Sequence, residues 1–409
     1  MHKDKNKKMF NSVIYYLIYY TKINTILVDM KIEQTIWTDK QGWYPKTPGN
    51  LVDSPQLVLV FGSSSNISNN NHLNIIKKAY PDSQILGCST AGEIIEDRVI
   101  DDSLTTTAIH FENTDVESVR IKIKDAGESY KAGKYLSKSL NKKGLVHIFV
   151  VSEGININGS ELVRGLTDSL PEHITVTGGL SGDGENFKKT CILWNNVVEE
   201  NSIAAIGLYS TRLRVGYASM GGWDPFGPER LITRSKENVL YELDNKSALQ
   251  LYKKYLGEHA KGLPATGLLF PLSIRETEDE KGVVRTILSV DEKNQSMTFA
   301  GDVPEGSYAR LMKANFNRLI DGASGAAKTS YESIGSEPPD LAILISCVGR
   351  KMVLKQRIDE EVEAVRDILG NEAVFTGFYS YGEISPFTLD AKCELHNQTM
   401  TITTLSEKI

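Results

Sequence analysis

Runs of apolar residues punctuated by glycine-rich turns recur three times along the chain. The first run, Leu57 to Phe61 (LVLVF), precedes a Gly/Ser/Asn loop and a segment of helical spacing from His72 to Tyr80. A second strand then enters the turn Gly87-Cys88-Ser89-Thr90-Ala91-Gly92-Glu93, and a further strand, Leu104 to Phe111 (LTTTAIHF), closes the unit. Short β-branched runs bounded by turn residues predict strands, and about ten residues of 3.6 spacing predict a helix.

The same order returns at Leu145 to Val151, a helix near Ser160 to Leu170, and Ile174 to Val176 before Gly178-Gly179-Leu180-Ser181-Gly182-Asp183. Strands from Cys191 and Ser202 follow. The third copy runs from Leu341 (LAILISC) through a helix, Asp359 to Leu369, and Val374-Phe375 into Gly377-Phe378-Tyr379-Ser380-Tyr381-Gly382-Glu383. Each copy has a hydroxyl residue three positions after its first glycine: Thr90, Ser181 and Ser380. Each has an acid after a later glycine: Glu93, Asp183 and Glu383. The copies are too long and too irregular for a solenoid. A helix between two strands favours a right-handed crossover with parallel pairing, and the strand after each turn adds antiparallel pairing. The expected fold is therefore α/β, with mixed sheets flanked by helices, built from repeated strand-helix-strand-turn-strand units in two domains.

The domain break is expected near 235–247, after Tyr217 to Arg230, whose glycines, prolines and aromatics predict a loop. This gives domains of 30–240 and 241–409. Beyond the break the pattern predicts a helix over Ala248 to Leu256, strands over Val283 to Val290 and Ser296 to Ala300, and one long helix from Tyr308 to Ser333. Residues 1–29 read as an extension upstream of a start at Met30. Their apolar run, Val13 to Tyr20, ends at Lys22 and is too short to cross a membrane, which takes about 20 apolar residues.

A net charge of −6 and a pI near 5.8 argue against a nucleic-acid surface, which usually carries a basic excess. No membrane span is expected. The four cysteines, at 88, 191, 347 and 393, lack C-x-x-C spacing and read as thiols in a reducing, cytoplasmic setting. Gly322 to Thr329 resembles a phosphate loop but has Ala327 where the motif needs glycine, so small residues packing a helix closely is the better account.

The turns themselves are the candidate site. Gly87, Cys88, Ser89, Thr90, Gly178, Gly179, Ser181, Tyr379, Ser380, Tyr381 and Glu383 are expected to line one ligand pocket, because mixed α/β sheets bind ligands at strand ends. Arg350, just after the third copy's first strand, is a candidate clamp for a ligand carboxylate; the alternative is a structural ion pair. A hydrolase or transferase acting through Cys88 or the Ser/Thr turns remains a rival reading. It requires a reactive thiol of depressed pKa, and no turn contains a histidine.

Several long motifs in order resemble the FIST family, with a FIST N domain followed by a FIST C domain. They are LVLVFGSSS, AYPDSQILGCSTAGEI, VTGGLSGDG, the run from Phe226 to Glu258, FAGDVPEGSYARLM, ISCVGRK, GFYSYGEISPF and LHNQTM. The resemblance implies a bacterial or archaeal sensory protein that binds a small ligand such as an amino acid. It also implies a second reading, a haem-binding nitric-oxide sensor. The implied output is a separate partner, such as a histidine kinase, a cyclic-di-GMP enzyme or a chemoreceptor. Under the haem reading His396, within LHNQTM beside the third turn, is the candidate iron ligand.

Overall fold

The computed structural model describes residues 30–277, 282–388 and 391–408. The extension of residues 1–29 lies outside the described residues. Three units of the same topology form the body. In unit one the core strands are Leu57–Gly62 and Gln84–Ser89, parallel to each other, with helix Asn70–Ala79 between them. Every residue of Leu57–Gly62 is buried. Such an unbroken apolar run is what a central strand covered on both faces requires. The return strand Leu104–His110 and the outer strand Lys31–Thr38 complete that side.

Unit two repeats this with Leu145–Ser152, helix Gly159–Thr167, Thr175–Leu180, the return strand Ser202–Ser210 and the outer strand Thr114–Lys122. Unit three uses Leu341–Cys347, helix Ile358–Leu369, Val374–Ser380, Met400–Ser406 and Arg214–Met220. Asparagines start two of the crossover helices, Asn69 accepting from the Asn71 amide and Asn158 from that of Glu161, which satisfies an otherwise orphan donor.

Each unit also lends a hairpin to another. The hairpin that begins with Ile192–Trp194 in unit two pairs with Gln84–Ser89 of unit one. The one that begins with Gly382–Pro386 in unit three pairs with Thr175–Leu180 of unit two. The one that begins with Glu93–Ile95 in unit one pairs with Val374–Ser380 of unit three. The exchange closes on itself, so the three sheets stand around one axis. Their facing sides share a single apolar cluster, which includes Phe61 and Cys88 from the first sheet, Phe149 and Val151 from the second, and Ile345 and Phe378 from the third. Helices cover the outer sides.

The described strands from Trp223–Lys236 to Tyr308–Ala314 form a separate eight-stranded sheet inserted within unit three. It carries helix Ala248–Leu256 and its own core around Leu249, Tyr252 and Phe299. Here two expectations are corrected. The expected loop from Tyr217 to Arg230 is strand: Arg214–Met220 runs into Trp223–Lys236, and its prolines are accommodated where the register shifts between Pro225 and Glu229. The expected helix from Tyr308 is strand over Tyr308–Ala314 and helix only over Phe316–Ser333. In the strand, Ala309 and Leu311 are buried at a spacing of two, and Asn315 caps the helix that follows. Within that helix Ala323, Ala326 and Ala327 are fully buried, in keeping with close packing rather than a phosphate loop.

Candidate functional site

Gly87, Gly178 and Gly377 occupy equivalent places. A Cβ at each would overlap the carbonyl oxygen of the neighbouring parallel strand, from Val60, Val150 and Leu344 respectively. The turns that follow are tied in a ring. The Gly182 amide donates to Ser89 (2.9 Å), that of Tyr381 to Leu180 (3.2 Å), and that of Ala91 to Tyr379 (2.8 Å). The three turns therefore meet at one end of the axis, and their residues there are buried.

Side chains alternate along these strands, so each turn offers different residues to the two faces. Cys88 and Phe378 belong to the shared axial cluster, and two residues on, Thr90 and Ser380 face the same way. Thr90 donates to Glu93, and Ser380 donates to Glu383 at 2.6 Å. The remaining oxygen of Glu93 accepts from the Ser103 amide and hydroxyl, at 3.0 and 2.6 Å. That of Glu383 accepts from the Thr399 amide and hydroxyl, at 3.1 and 2.9 Å. Units one and three thus carry the same hydroxyl–carboxyl–hydroxyl set. Burial drives the Glu93 carboxyl up to about 7 and that of Glu383 up to about 8, against the pull of these donors.

Unit two departs from the set. Asp183 does not occupy the place of Glu93 and Glu383: in register that place belongs to Ile192, which pairs with Cys88 as Glu383 pairs with Gly179. The Asp183 carboxylate instead accepts from the amides of Phe187, Lys188 and Lys189 and from the Tyr381 hydroxyl. A carboxyl nevertheless enters this part of the layer from Glu153, just beyond strand Leu145–Ser152. Its Oε2 accepts from Thr190 (3.2 Å), whereas Oε1, like the nearby Ser181 Oγ, is buried and makes no hydrogen bond of good geometry, although the Ile155 and Asn156 amides lie near the carboxyl. Burial raises the Glu153 carboxyl, partly offset by the Ile155 and Asn156 amides and Thr190. Sequence reasoning passed over Glu153 because the equivalent positions in the other units are Ser63 and Cys347. The signal was an acid ending an otherwise apolar strand.

The other face of the third sheet holds Arg350. Its guanidinium is fully buried and binds Glu361 through Nε (3.0 Å) and Nη2 (2.7 Å), with further bonds to the carbonyls of Gly221 and Leu319. Tyr379 and Ser346 also donate to Glu361. The structural ion pair is thus what Arg350 makes, and helix Ile358–Leu369, rather than the axial layer, receives it. Ser89 is likewise committed, its Oγ accepting from the Cys191 amide at 3.0 Å. Cys88 is fully buried and its thiol is pushed far up by burial, the opposite of a reactive nucleophile. All four cysteines are free thiols.

Beyond the layer, the segment after Thr399's neighbour strand ties it to the inserted sheet. Gln398 donates to the Leu268 carbonyl (2.9 Å) and Thr286 hydroxyl (3.1 Å), while Asn397 accepts from the Thr286 amide (3.2 Å). Among the described residues, no cluster of three or more His, Cys, Asp or Glu is arranged to hold a metal ion. None of the described helices is long and apolar enough to cross a membrane.

Comparison with known proteins bears on this arrangement. The FIST N domain profile matches residues 56–246, and the FIST C domain profile matches residues 248–386. The chain belongs to the FIST family. FIST domains are sensory domains associated with signal transduction. An uncharacterized protein of Methanocaldococcus jannaschii is 25% identical over 351 residues, which make up 78% of this chain and 64% of that protein. The chain therefore matches less than two thirds of this relative's length. Among solved structures, cyanuric acid hydrolase from A. caulinodans is similar at 6% identity and a TM-score of 0.35, over 92% of this chain and 98% of that one. This likeness is too remote to bear on function.

Haem, which the family resemblance brought forward for His396, does not fit the residues there. The His396 ring is buried, packs against Phe387 at 4.2 Å between centroids, and uses Nε2 on the Ser385 carbonyl at 2.7 Å. Nδ1 has no partner, but it too is enclosed. Burial lowers the imidazole to about 4, so it is neutral.

Proposed function

We propose that this FIST protein senses a small amine-bearing ligand, of the amino-acid class, at the polar layer on its axis, and signals through a separate protein. One observation carries the reading. Three turns converge on a buried hydroxyl and carboxyl layer in which the Glu93 and Glu383 sets are internally satisfied, while unit two leaves Glu153 Oε1 and Ser181 Oγ without a hydrogen bond of good geometry. Buried polar groups of folded proteins are nearly always paired, and an ammonium group suits a carboxylate oxygen beside a hydroxyl.

The route outward supports a signalling role. Glu383 is held by Thr399, Thr399 adjoins Gln398, and Gln398 reaches Leu268 and Thr286 of the inserted region. That region exposes Phe226, Leu231 and Tyr255, as a surface for the output protein would. Reaction chemistry has less support, because the axial turns offer no histidine and the Cys88 thiol is held protonated.

A thermal-shift screen of amino acids and small amines on the full chain tests the proposal. A ligand that binds only the folded state at about 100 times its Kd adds about 2.7 kcal/mol of stability. Glu153→Gln and Ser181→Ala should each abolish the shift produced by the active compound. A compound whose shift survives both substitutions binds elsewhere and would overturn this site.

A further inference from the structure

Charge is unevenly distributed along the chain. Between Arg120 and Lys143 stand eight Lys or Arg and two Asp or Glu, a local balance of +6 in a chain of net charge −6. The fold gathers part of this segment around a cavity of about 530 Å³, lined by Ile121, Lys122, Ile123, Lys124, Glu128, Lys131 and Ala132. The cavity lies where the outer strand Thr114–Lys122, at the edge of the second sheet, gives way to helix Ser129–Ser139. It is remote in the sequence from the three turns.

Its chemistry is specific. Ile123 and Ala132 are buried and Ile121 is half-buried, so they supply an apolar floor. Lys122, Lys124 and Lys131 are exposed around it. Across the described residues, none of their ammonium groups has an ion pair or hydrogen bond of its own. The acid in the lining, Glu128, accepts from the Lys124 backbone amide at 2.9 Å. Two other lysines nearby are engaged elsewhere: Lys134 lies over the Tyr130 ring, and Lys142 donates to the Ser137 and Leu140 carbonyls. Three lysines share the lining with a single acid, Glu128, so a net positive charge is left, and a multiply charged anion among them relieves their repulsion.

We infer that this cavity binds a phosphorylated small organic molecule, its phosphate among Lys122, Lys124 and Lys131 and its organic part on Ile121, Ile123 and Ala132. The volume falls within the range of small-molecule sites, about 300–1,000 Å³, and exceeds what a bare phosphate ion fills. Lysine ammonium groups serve as point charges for phosphate without imposing a bidentate geometry. The site is independent of the axial reading and stands or falls without it.

Isothermal titration of the full chain with inorganic phosphate, glucose 6-phosphate and adenosine monophosphate, in low and in physiological salt, tests the inference. At least one of the two organic phosphates should bind more tightly than inorganic phosphate, and its affinity should fall as salt screens the lysines. The triple variant Lys122→Gln, Lys124→Gln, Lys131→Gln should lose about tenfold or more in affinity, three exposed charge contacts being removed together. Its melting temperature should stay close to that of the parent, because these side chains are exposed. Glu128→Gln, which removes the negative charge in the lining, should tighten binding. Failure of both organic phosphates to bind, equal affinity for inorganic phosphate, or unchanged affinity in the triple variant would each overturn the site.

Discussion

Thr399 grips one oxygen of Glu383 with two donors, its backbone amide at 3.1 Å and its hydroxyl at 2.9 Å. The opposite oxygen faces Ser380, which lies within reach of the Ser346 carbonyl at 3.3 Å. A proton on that second oxygen can therefore be donated to Ser380, with Ser380 passing its own hydrogen to Ser346. The geometry accommodates a neutral Glu383 without an orphaned group.

This fixes the sign of a pH effect. The Glu383 carboxyl titrates near 8 in the folded protein, against 4.5 for the ordinary group. The folded state thus binds the proton more tightly than the unfolded chain. Its contribution to stability is fully present below about 4.5 and is lost as pH rises through about 8. Glu93, at about 7, acts in the same direction over a narrower window. Glu383→Gln mimics the neutral form, its amide donating to Ser380 and its oxygen accepting from Thr399. Denaturant titrations at pH 5 and pH 9 should show the parent losing on the order of a few kcal/mol more than the variant. Parallel losses in the two proteins would contradict the assignment.

Arg350 and Glu361 form a fully buried pair. Arg350→Ala leaves the Glu361 carboxylate without its counter-charge and should cost about 3–5 kcal/mol of unfolding free energy. Adding Glu361→Gln, which retains acceptors for Ser346 and Tyr379, should restore much of that loss. A double-mutant cycle by chemical denaturation measures it, and additive losses would show that the two residues act independently.

Haemin titration of the parent and of His396→Ala should give the same spectra. Any Soret change should be common to both proteins, since the His396 ring is enclosed and its Nε2 is engaged with Ser385. A band present in the parent and missing in the variant would reinstate the histidine as an iron ligand.

The repeat was legible in the sequence because it is enforced locally. Gly87, Gly178 and Gly377 cannot carry a Cβ beside the neighbouring strand, and Thr90, Ser181 and Ser380 keep a fixed distance from them. What a repeat cannot reveal is which acid lies across the sheet. Asp183 directly follows a turn glycine as Glu93 and Glu383 do, but a longer connection in unit two carries it away and puts Ile192 in register with Cys88. The face on which Arg350 lies was hidden for a similar reason, as it depends on helix Ile358–Leu369 packing behind the third sheet. The strand Trp223–Lys236 was masked by its glycines and prolines, which single-sequence rules assign to loops and which a register shift here absorbs.

The closed exchange of hairpins also constrains how the chain can acquire its structure. The first sheet needs residues as far along as Glu199, the second needs residues up to His396, and the third joins Glu93–Ile95 to Met400–Ser406. During synthesis, only the first sheet can be completed before the C-terminal part of the chain has emerged. Until then, strand edges of the second and third sheets remain open to mispairing. Contacts of such long sequence separation slow folding, and the three units should form and melt as one cooperative body.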